Sequence, residues 1–370
     1  MRKVDHSIYV HVPFCKARCA YCAFSSCVDF SLCEKYFEVL QKEITCAKVD
    51  GGVIKTMFWG GGTPSSVEPK YLQKLFEVLA DKFDLSQMSE FTVECNPESV
   101  TEELLLLLKS IGVNRLSFGL QSANDSTLKR IGRLHTYSDF LQALNLAHRC
   151  GFDNVNADLI LGLPESCDEF LYTVERVCGL PLTHVSLYAL ELHDNKAFNK
   201  LCESYAHTED QLADLYDVAR DKLANCGFLR YEVSNFAKEG FECKHNLAYW
   251  TENRYYGFGA AASGFLDDVR YGNVYDIREY VETSGKAKAY TESVNADEQA
   301  YECAMLGLRL QKGVALQEFA ERYGKDFFAR FPNATALVDG GFLKVEEGRI
   351  FVSDDKFYVL NSILTELLSN

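Results

Sequence analysis

The sequence lacks any run of about 18 apolar residues, the length that a bilayer-spanning helix needs. Its first residues, MRKVDHSIYVHV, contain neither the apolar core of a signal peptide nor an Arg- and Ser-rich transit region. We therefore expect a cytoplasmic protein that contacts a membrane only through a partner. Basic residues are also few, since 38 Lys and Arg stand against 53 Asp and Glu, for a net charge of −15. Such a charge disfavours a surface that follows a phosphate backbone, so we expect no nucleic-acid partner.

Three of the 14 cysteines stand apart from the rest. Most are scattered in apolar runs and are typical of buried thiols in a reducing compartment. Cys15, Cys19 and Cys22 instead have the spacing C-x3-C-x2-C. Three thiolates so close together can ligate three irons of a cubane cluster and leave the fourth iron open for a chelating amine and carboxylate. The alternative is three free thiols, which Tyr21 and the preceding Tyr-x-His-x-Pro run disfavour.

Strand patterns alternate with helical patterns through the first half of the chain. The predicted strands are residues 7–12, 53–59, 90–95, 114–120, 154–161 and 183–190. This alternation predicts an α/β fold, a partial (β/α)6 barrel in which parallel strands place chemistry at their carboxyl ends.

Polar or glycine-rich segments follow these strands. Gly61, Gly62 and Thr63 belong to a triple-glycine turn whose backbone can approach a ligand closely, although a plain tight turn has the same pattern. Each single strand-end residue has an ordinary explanation, such as a helix cap or a turn. Their recurrence in five successive units predicts one shared site.

The phrase YVHVPFC…CAYCAF resembles the radical S-adenosylmethionine superfamily. It is most similar to the branch that contains oxygen-independent coproporphyrinogen III dehydrogenase and the HemW-type haem chaperones. The resemblance implies a [4Fe-4S] cluster on the three cysteines, S-adenosylmethionine on the open iron, and an electron donor. Carried over by motif, it implies no catalytic side chain and these contacts to S-adenosylmethionine: Tyr9, Gly61, Gly62, Thr63, Glu94, Gln121, Arg133 and Asp158.

A second motif is HNLAYW, residues 245–250. A histidine beside two aromatic residues is usually a core or capping residue. The hexamer resembles the HNxxYW motif of the haem-chaperone branch, which implies that His245 ligates haem carried as cargo. Many relatives continue with GxGxGAHS, whereas this chain reads GFGAAAS at residues 257–263, so a role for that histidine is not expected here.

We expect three parts: a radical S-adenosylmethionine core at residues 1–230, a connecting region with the HNxxYW motif at 231–290, and a C-terminal domain at 291–370. The last part combines helical patterns with one hairpin pattern at residues 342–345 and 349–352. It is therefore expected to be a smaller, helix-rich and winged-helix-like domain. Because it has many acids and no basic cluster, we interpret it as a lid or partner surface.

Two functions remain after these observations. One is a haem chaperone that delivers haem to partner proteins. The other is oxidative decarboxylation of coproporphyrinogen III to protoporphyrinogen IX. The decarboxylase family has a further cysteine where this chain has Phe24, and an extension ahead of its cluster, whereas Cys15 here follows only 14 residues. Both differences favour the chaperone, and thus a binding protein rather than an enzyme. RNA modification is disfavoured by the charge, and a homodimer stays open.

Overall fold

The structure, a computed structural model, describes residues 5–49, 51–205, 207–251 and 254–369. Six parallel strands form its centre, and each pairs with the next along the chain. They are β1 (Asp5–Val12), β2 (Val53–Gly61), β3 (Glu90–Cys95), β4 (Arg115–Gln121), β5 (Asn154–Leu161) and β6 (His184–Ala189). The predicted α/β fold with six βα units is therefore confirmed.

Helices connect these strands and pack their apolar sides on the sheet. In the described ranges they are α1 (Cys33–Cys46), α2 (Pro69–Lys82), α3 (Glu102–Ser110), α4 (Asp125–Arg130), α5 (Tyr137–Arg149), α6 (Cys167–Cys178), α7 (Lys196–Glu203) and α8 (Glu209–Asn225). All seven residues of β4 are buried, as expected for a central parallel strand that is covered on both faces.

Capping side chains fix where the helices after β4 and β5 begin. The Thr136 hydroxyl accepts a hydrogen bond from the Asp139 N–H at the start of α5, and the Asp139 carboxylate accepts one from the Thr136 N–H. Ser166 and Glu169 form the same reciprocal pair at the start of α6. Each such box contributes about 1 kcal/mol to helix stability. The caps thus define the loops that follow two site-bearing strands.

The sheet continues past both ends of the six-stranded centre. β7 (Leu229–Glu232) and β8 (Asn235–Ala237) extend it antiparallel beyond β6. Helix α9 (Lys244–Trp250) packs against β2, and helix α10 (Ile277–Glu282) packs against α1. On the other side β9 (Arg254–Phe258) lies parallel to β1 and is followed by β10 (Ser263–Leu266), β11 (Val269–Asn273) and β12 (Lys288–Ser293). The order β12-β11-β10-β9-β1-β2-β3-β4-β5-β6-β8-β7 is open, so the barrel is partial.

The C-terminal domain is helical with one small sheet. Its helices are α11 (Ala296–Gly307), α12 (Leu316–Tyr323), α13 (Phe327–Arg330), α14 (Asn333–Asp339) and α15 (Leu360–Leu368). Its strands β13 (Val314–Ala315), β14 (Leu343–Glu346) and β15 (Arg349–Val352) pair in the order β13-β15-β14.

Two large hydrophobic clusters hold the chain together. The first extends from Ile8 to Tyr280 and so includes residues of the connecting region. The second extends from Ala300 to Leu367. The predicted boundaries at residues 230 and 290 stay predictions. Within the described ranges, no helix combines the length and the apolar composition that crossing a membrane requires.

Candidate functional site

The loop after β1 carries the three clustered cysteines at the carboxyl edge of the sheet. It is closed at its base, because the Cys15 N–H donates to the Cys27 carbonyl at 3.0 Å and the Cys27 N–H donates to the Pro13 carbonyl at 2.7 Å. Farther along the loop, the Ala20 N–H donates to the Ile131 carbonyl at 3.0 Å. These bonds hold the cysteine loop against the segment after α4.

Cys15, Cys19 and Cys22 are half-buried free thiols. The Thr63 hydroxyl donates to Cys15 Sγ at 3.4 Å, and the Arg133 guanidinium donates to Cys19 Sγ at 3.6 Å. Burial, with a smaller contribution from the neighbouring Cys22 and Cys19 sulfurs, raises the pKa of the Cys15 thiol to about 11. The Cys22 N–H donates to the Cys19 carbonyl at 3.2 Å, so these two cysteines lie on one turn of the loop.

A single metal ion has no site of three or more His, Cys, Asp or Glu side chains in the described part of the chain. A cubane cluster needs another arrangement, because each thiolate binds a different iron and the sulfurs are spread around the cube. The half-buried thiols on one loop have the chemistry of that donor set. The three cysteines stay the predicted cluster ligands.

The glycine turn after β2 packs directly against the cysteine loop. Gly61 has φ +105°, and a Cβ on it would lie 2.2 Å from the His11 ring. A Cβ on Gly62 would lie 2.5 Å from the Pro13 backbone. The Gly62 N–H donates to the Val12 carbonyl at 3.0 Å, and the Thr63 N–H donates to the Phe14 carbonyl at 2.9 Å. Only glycine permits this approach of two backbones.

Two acids, on β3 and β5 with β4 between them, interact electrostatically. Glu94 on β3 accepts a hydrogen bond from the Gly61 N–H at 3.0 Å. Burial, with a smaller contribution from the charge of Asp158, raises the pKa of Glu94 to about 8. Burial also raises the pKa of Asp158, which accepts from Asn156 Nδ2 at 2.8 Å and from the Ser117 hydroxyl at 3.4 Å. A perturbed acid pair at a strand-end site is typical of ligand-binding carboxylates.

Gln121 and Arg133 occupy the next positions of this edge. Gln121 ends β4 with φ +70°, an uncommon conformation for a residue other than glycine. Arg133 donates to the Asn96 side-chain oxygen at 2.7 Å and to the Gly119 carbonyl at 2.5 Å. Both terminal nitrogens of its guanidinium therefore already donate hydrogen bonds, one of them to Cys19. Only its buried Nε has no hydrogen-bond partner among the described residues.

Tyr9 lies on β1 below the cysteine loop. Its hydroxyl is 3.0 Å from His11 Nδ1, and its ring stacks on Phe58 with centroids 6.3 Å apart. His11 Nε2 is 2.8 Å from the Ser25 carbonyl oxygen, and burial lowers the pKa of His11 to about 4. A neutral His11 thus positions Tyr9 and the glycine turn at the same time.

His245 lies elsewhere, beside the amino-terminal halves of β2 and β3. Its ring Nδ1 is 2.8 Å from the Thr56 hydroxyl, and its ring Nε2 is 3.1 Å from the Tyr249 hydroxyl. Its backbone N–H donates to Glu90 Oε1 at 3.0 Å. It is 1% exposed and stacks on Phe58 at 5.2 Å. Burial lowers the pKa of His245 to about 3. Neither ring nitrogen is free to bind iron in this conformation, and the haem-ligand assignment stays a prediction.

Two polar residues of the site and one buried arginine at the opposite end of β4 were not predicted from the sequence. His11 and Asn96 sit inside the YVHVP and ECNP phrases, so their motifs could have signalled them. Asn96 joins the two halves of the site, because its Nδ2 donates to the Thr63 hydroxyl at 3.0 Å while its oxygen accepts from Arg133. Arg115, fully buried at the start of β4, had no local signal.

The arrangement has the features that an iron–sulfur cluster and an adenosyl ligand need. Three thiols share one loop, a glycine cradle touches that loop, and the Glu94 carboxylate accepts a hydrogen bond from the cradle. Carboxylates can accept hydrogen bonds from an amine or from ribose hydroxyls.

Comparisons with known proteins agree with this geometry. Residues 9–177 match the model of the radical SAM superfamily, and residues 294–355 match the HemN C-terminal domain. Heme chaperone HemW of Bacillus subtilis is 35% identical, over 94% of this chain and 95% of the relative. Heme chaperone HemW of Lactococcus lactis is also 35% identical, over 100% of this chain and 98% of the relative.

The fold is similar to that of a solved structure. Coproporphyrinogen III oxidase HemN of Escherichia coli superposes with a TM-score of 0.86 at 21% identity, over 99% of this chain and 90% of that chain. At this identity the similarity shows only a shared fold. The relatives that are 35% identical along almost their whole length show the family. The chain therefore belongs to the HemW family of the radical SAM superfamily.

Proposed function

We propose that this protein is a haem chaperone that holds a [4Fe-4S] cluster and S-adenosylmethionine and delivers haem to haem-requiring proteins. The family relation supports the chaperone activity, since relatives that match along the whole chain have that name. The geometric observation that carries the cofactor site is the contact between the cysteine loop and the glycine turn, made through Thr63 and Cys15 at 3.4 Å.

In this proposal Cys15, Cys19 and Cys22 hold three irons. The bound cluster would supply one-electron chemistry toward the sulfonium of S-adenosylmethionine. The chain's own residues would bind the cluster and orient S-adenosylmethionine. Thr63 and Arg133 donate to the ligand sulfurs, which stabilises the thiolate form that a cluster requires. An electron donor is the partner that this arrangement needs.

The S-adenosylmethionine contacts are proposed on the same edge. Gly61 and Gly62 offer backbone groups, while Glu94 and Asp158 offer carboxylate oxygens. Tyr9, Thr63 and Gln121 complete the proposed contacts. Arg133 is proposed to act through Asn96 and Cys19, because its terminal nitrogens already donate to protein groups.

Phe24 supports a chaperone rather than a decarboxylase. It stands where the decarboxylase family has a further cysteine, and 67% of it is exposed at the mouth of the loop. Haem-accepting proteins are the proposed partners, while a homodimer and a cytoplasmic location stay predictions. The HNxxYW assignment of His245 requires that α9 leave Thr56 and Glu90 before the imidazole can reach iron.

The experiment is an anaerobic reconstitution of the cluster followed by two parallel assays. One aliquot receives S-adenosylmethionine, a reductant and coproporphyrinogen III; the other is titrated with haem. We expect stoichiometric haem binding and no conversion. Protoporphyrinogen formation over many turnovers would instead make the protein a decarboxylase. Absence of haem binding with a full cluster would refute the chaperone proposal.

The cluster ligands are tested by Cys19→Ala beside a matched control, Cys27→Ala. Cys27 belongs to the same loop and is also a half-buried free thiol. We expect Cys19→Ala to lose the iron–sulfur absorption and Cys27→Ala to keep it, as measured by iron content and visible spectra. Full cluster content in Cys19→Ala would remove Cys19 from the ligand set.

A further inference from the structure

A cleft of about 840 Å³ lies between the cysteine loop and the segment after β6. Cys19 and Cys22 line one wall together with Arg18, and residues 193–196 line the other wall. Cys15 does not line it, and neither does any of the proposed S-adenosylmethionine contacts. The cleft thus borders two of the proposed cluster ligands. Its volume is within the range of about 300–1,000 Å³ that cofactor pockets have.

The second wall carries His193, the most exposed histidine of the described residues. All eight histidines lie in the described ranges, and only His193 is exposed. His245 and His184 are buried with both ring nitrogens in hydrogen bonds. An imidazole must present a free nitrogen to bind haem iron. No described residue hydrogen-bonds the His193 ring, so His193 meets that condition without any rearrangement.

Two cations line the cleft with His193, Arg18 on the opposite wall and Lys196 on the same wall. Arg18 and Lys196 are exposed, and neither forms an ion pair with a described residue. Asp194 is the one acid of the lining. In a chain of net charge −15, a cleft with two unpaired cations is unusual. Cations so placed attract a ligand that bears carboxylates.

Exposed apolar side chains adjoin both walls. Phe24 follows the lining residue Ala23 and is 67% exposed, and Leu192 precedes His193 and is 48% exposed. Haem combines a flat apolar macrocycle, two propionates and an iron with free axial positions. The apolar rim, the cations and the imidazole match these three parts.

The walls are fixed to each other before any ligand binds. Asn195 Nδ2 donates to the Ala20 carbonyl of the cysteine loop at 3.0 Å, and the Asn195 side-chain oxygen accepts from the Phe198 N–H at the start of α7. Phe198 is buried in a small hydrophobic cluster against which Ala20 and Tyr21 pack. A pre-formed cleft loses little conformational entropy when a rigid ligand enters.

We propose that this cleft is the haem site of the protein, with His193 as an axial ligand of the iron and with Arg18 and Lys196 pairing with the propionates. The inference rests on the proposed haem-chaperone function and assigns its cargo site. It places haem beside Cys19 and Cys22, and it leaves the partly buried Tyr9–Glu94–Asp158 edge to S-adenosylmethionine.

The test is a haem titration of cluster-loaded protein with the variant His193→Ala. His148→Ala is the matched control, because His148 is partly exposed and its ring contacts only the Pro181 carbonyl. We expect the dissociation constant for haem to rise at least ~10-fold in His193→Ala. Mutation of a residue that only hydrogen-bonds a metal ligand already weakens metal binding by about that factor. The histidine-type visible and EPR spectrum of the iron should disappear as well. The control should match the wild type.

The cations are tested with Arg18→Gln and Lys196→Gln. Each should weaken haem binding about 2- to 5-fold, as expected for partly solvated ion pairs. Neither should affect haem dimethyl ester, which lacks the carboxylates. Equal weakening for both ligands would overturn the propionate assignment.

The outcomes separate the two proposals. If the wild type does not bind haem, the chaperone function and this site both fail. If the wild type binds haem and His193→Ala keeps its affinity and spectrum, only the site is overturned. Loss of binding in His245→Ala, with normal binding in His193→Ala, would assign the iron to the HNxxYW helix instead. Iron content and thermal midpoints of each variant confirm that it is folded.

Discussion

Glu94 gives the sharpest prediction of the site, because its charge should act against folding while it helps the ligand to bind. Burial and the Asp158 charge raise the pKa of Glu94 from 4.5 to about 8. The folded chain therefore holds this proton more tightly than the unfolded chain does. The contribution of Glu94 to stability is fully present below pH 4.5 and is lost as the pH rises toward about 8.

The variant Glu94→Gln removes this loss, since an amide does not titrate. A pKa difference of one unit corresponds to about 1.4 kcal/mol. The difference between the free energy of unfolding of the variant and that of the wild type should thus increase by about 3 kcal/mol between pH 4 and pH 6.5. Above pH 8 the increase should reach at most about 5 kcal/mol. The glutamine oxygen can still accept from the Gly61 N–H, so the turn should remain intact.

The assay is urea unfolding of cluster-free wild type and variant at pH 4.5, 6.5 and 8.5, followed by circular dichroism. Other acids titrate in both proteins, so only the difference between the two curves reports on Glu94. A difference that does not change with pH would refute the raised pKa and the reasoning from burial.

A matched control separates the electrostatic effect from ligand binding. Burial also raises the pKa of Glu165, to about 7, and Glu165 accepts from the Ser122 hydroxyl at 2.8 Å, away from the glycine cradle. Glu165→Gln should show the same kind of pH-dependent gain in stability. Only Glu94→Gln should reduce the rise in thermal midpoint that S-adenosylmethionine causes in cluster-loaded protein. Equal responses of both variants to the ligand would contradict the assignment of Glu94 to its site.

Two further substitutions test the cradle and the buried histidine. Gly61→Ala should lower the free energy of unfolding by about 2–4 kcal/mol, because its Cβ would meet the His11 ring at a positive φ. Gly112→Ala, also at positive φ but with open space around it, should cost only about 1 kcal/mol, and equal losses in urea unfolding would contradict the cradle. His245→Ala should lower the free energy of unfolding by about 2–4 kcal/mol, since it leaves a cavity and removes the imidazole partner of the Thr56 and Tyr249 hydroxyls. An unfolding midpoint like that of the wild type would show that His245 is not packed as described.

The strands and their order could be predicted because the signal is local. Apolar runs of strand length alternate with helical patterns, and short connections permit few arrangements. The added strands β9 to β12 were harder, because β9 pairs with β1 across more than 240 residues. Glycines within β9 and β10 conceal the strand pattern, and they are present because Tyr271 and the Ser263 backbone occupy the space of a side chain.

By itself, the sequence determined which residues share the site edge. Parallel strands all end on the same side of a sheet, so the ends of β1, β2, β3 and β4 bring Cys15, Gly61, Glu94 and Gln121 to one edge whatever the details of packing. Asp158 lies within β5, three residues before its end. Only the tertiary structure decided which histidines are buried and hydrogen-bonded and which are exposed. Glu90 and Thr56, far away in sequence, bury the imidazole of His245. The segment after β6 leaves His193 open beside the cysteines. Burial and hydrogen-bond partners depend on contacts between distant segments, and no local pattern encodes them.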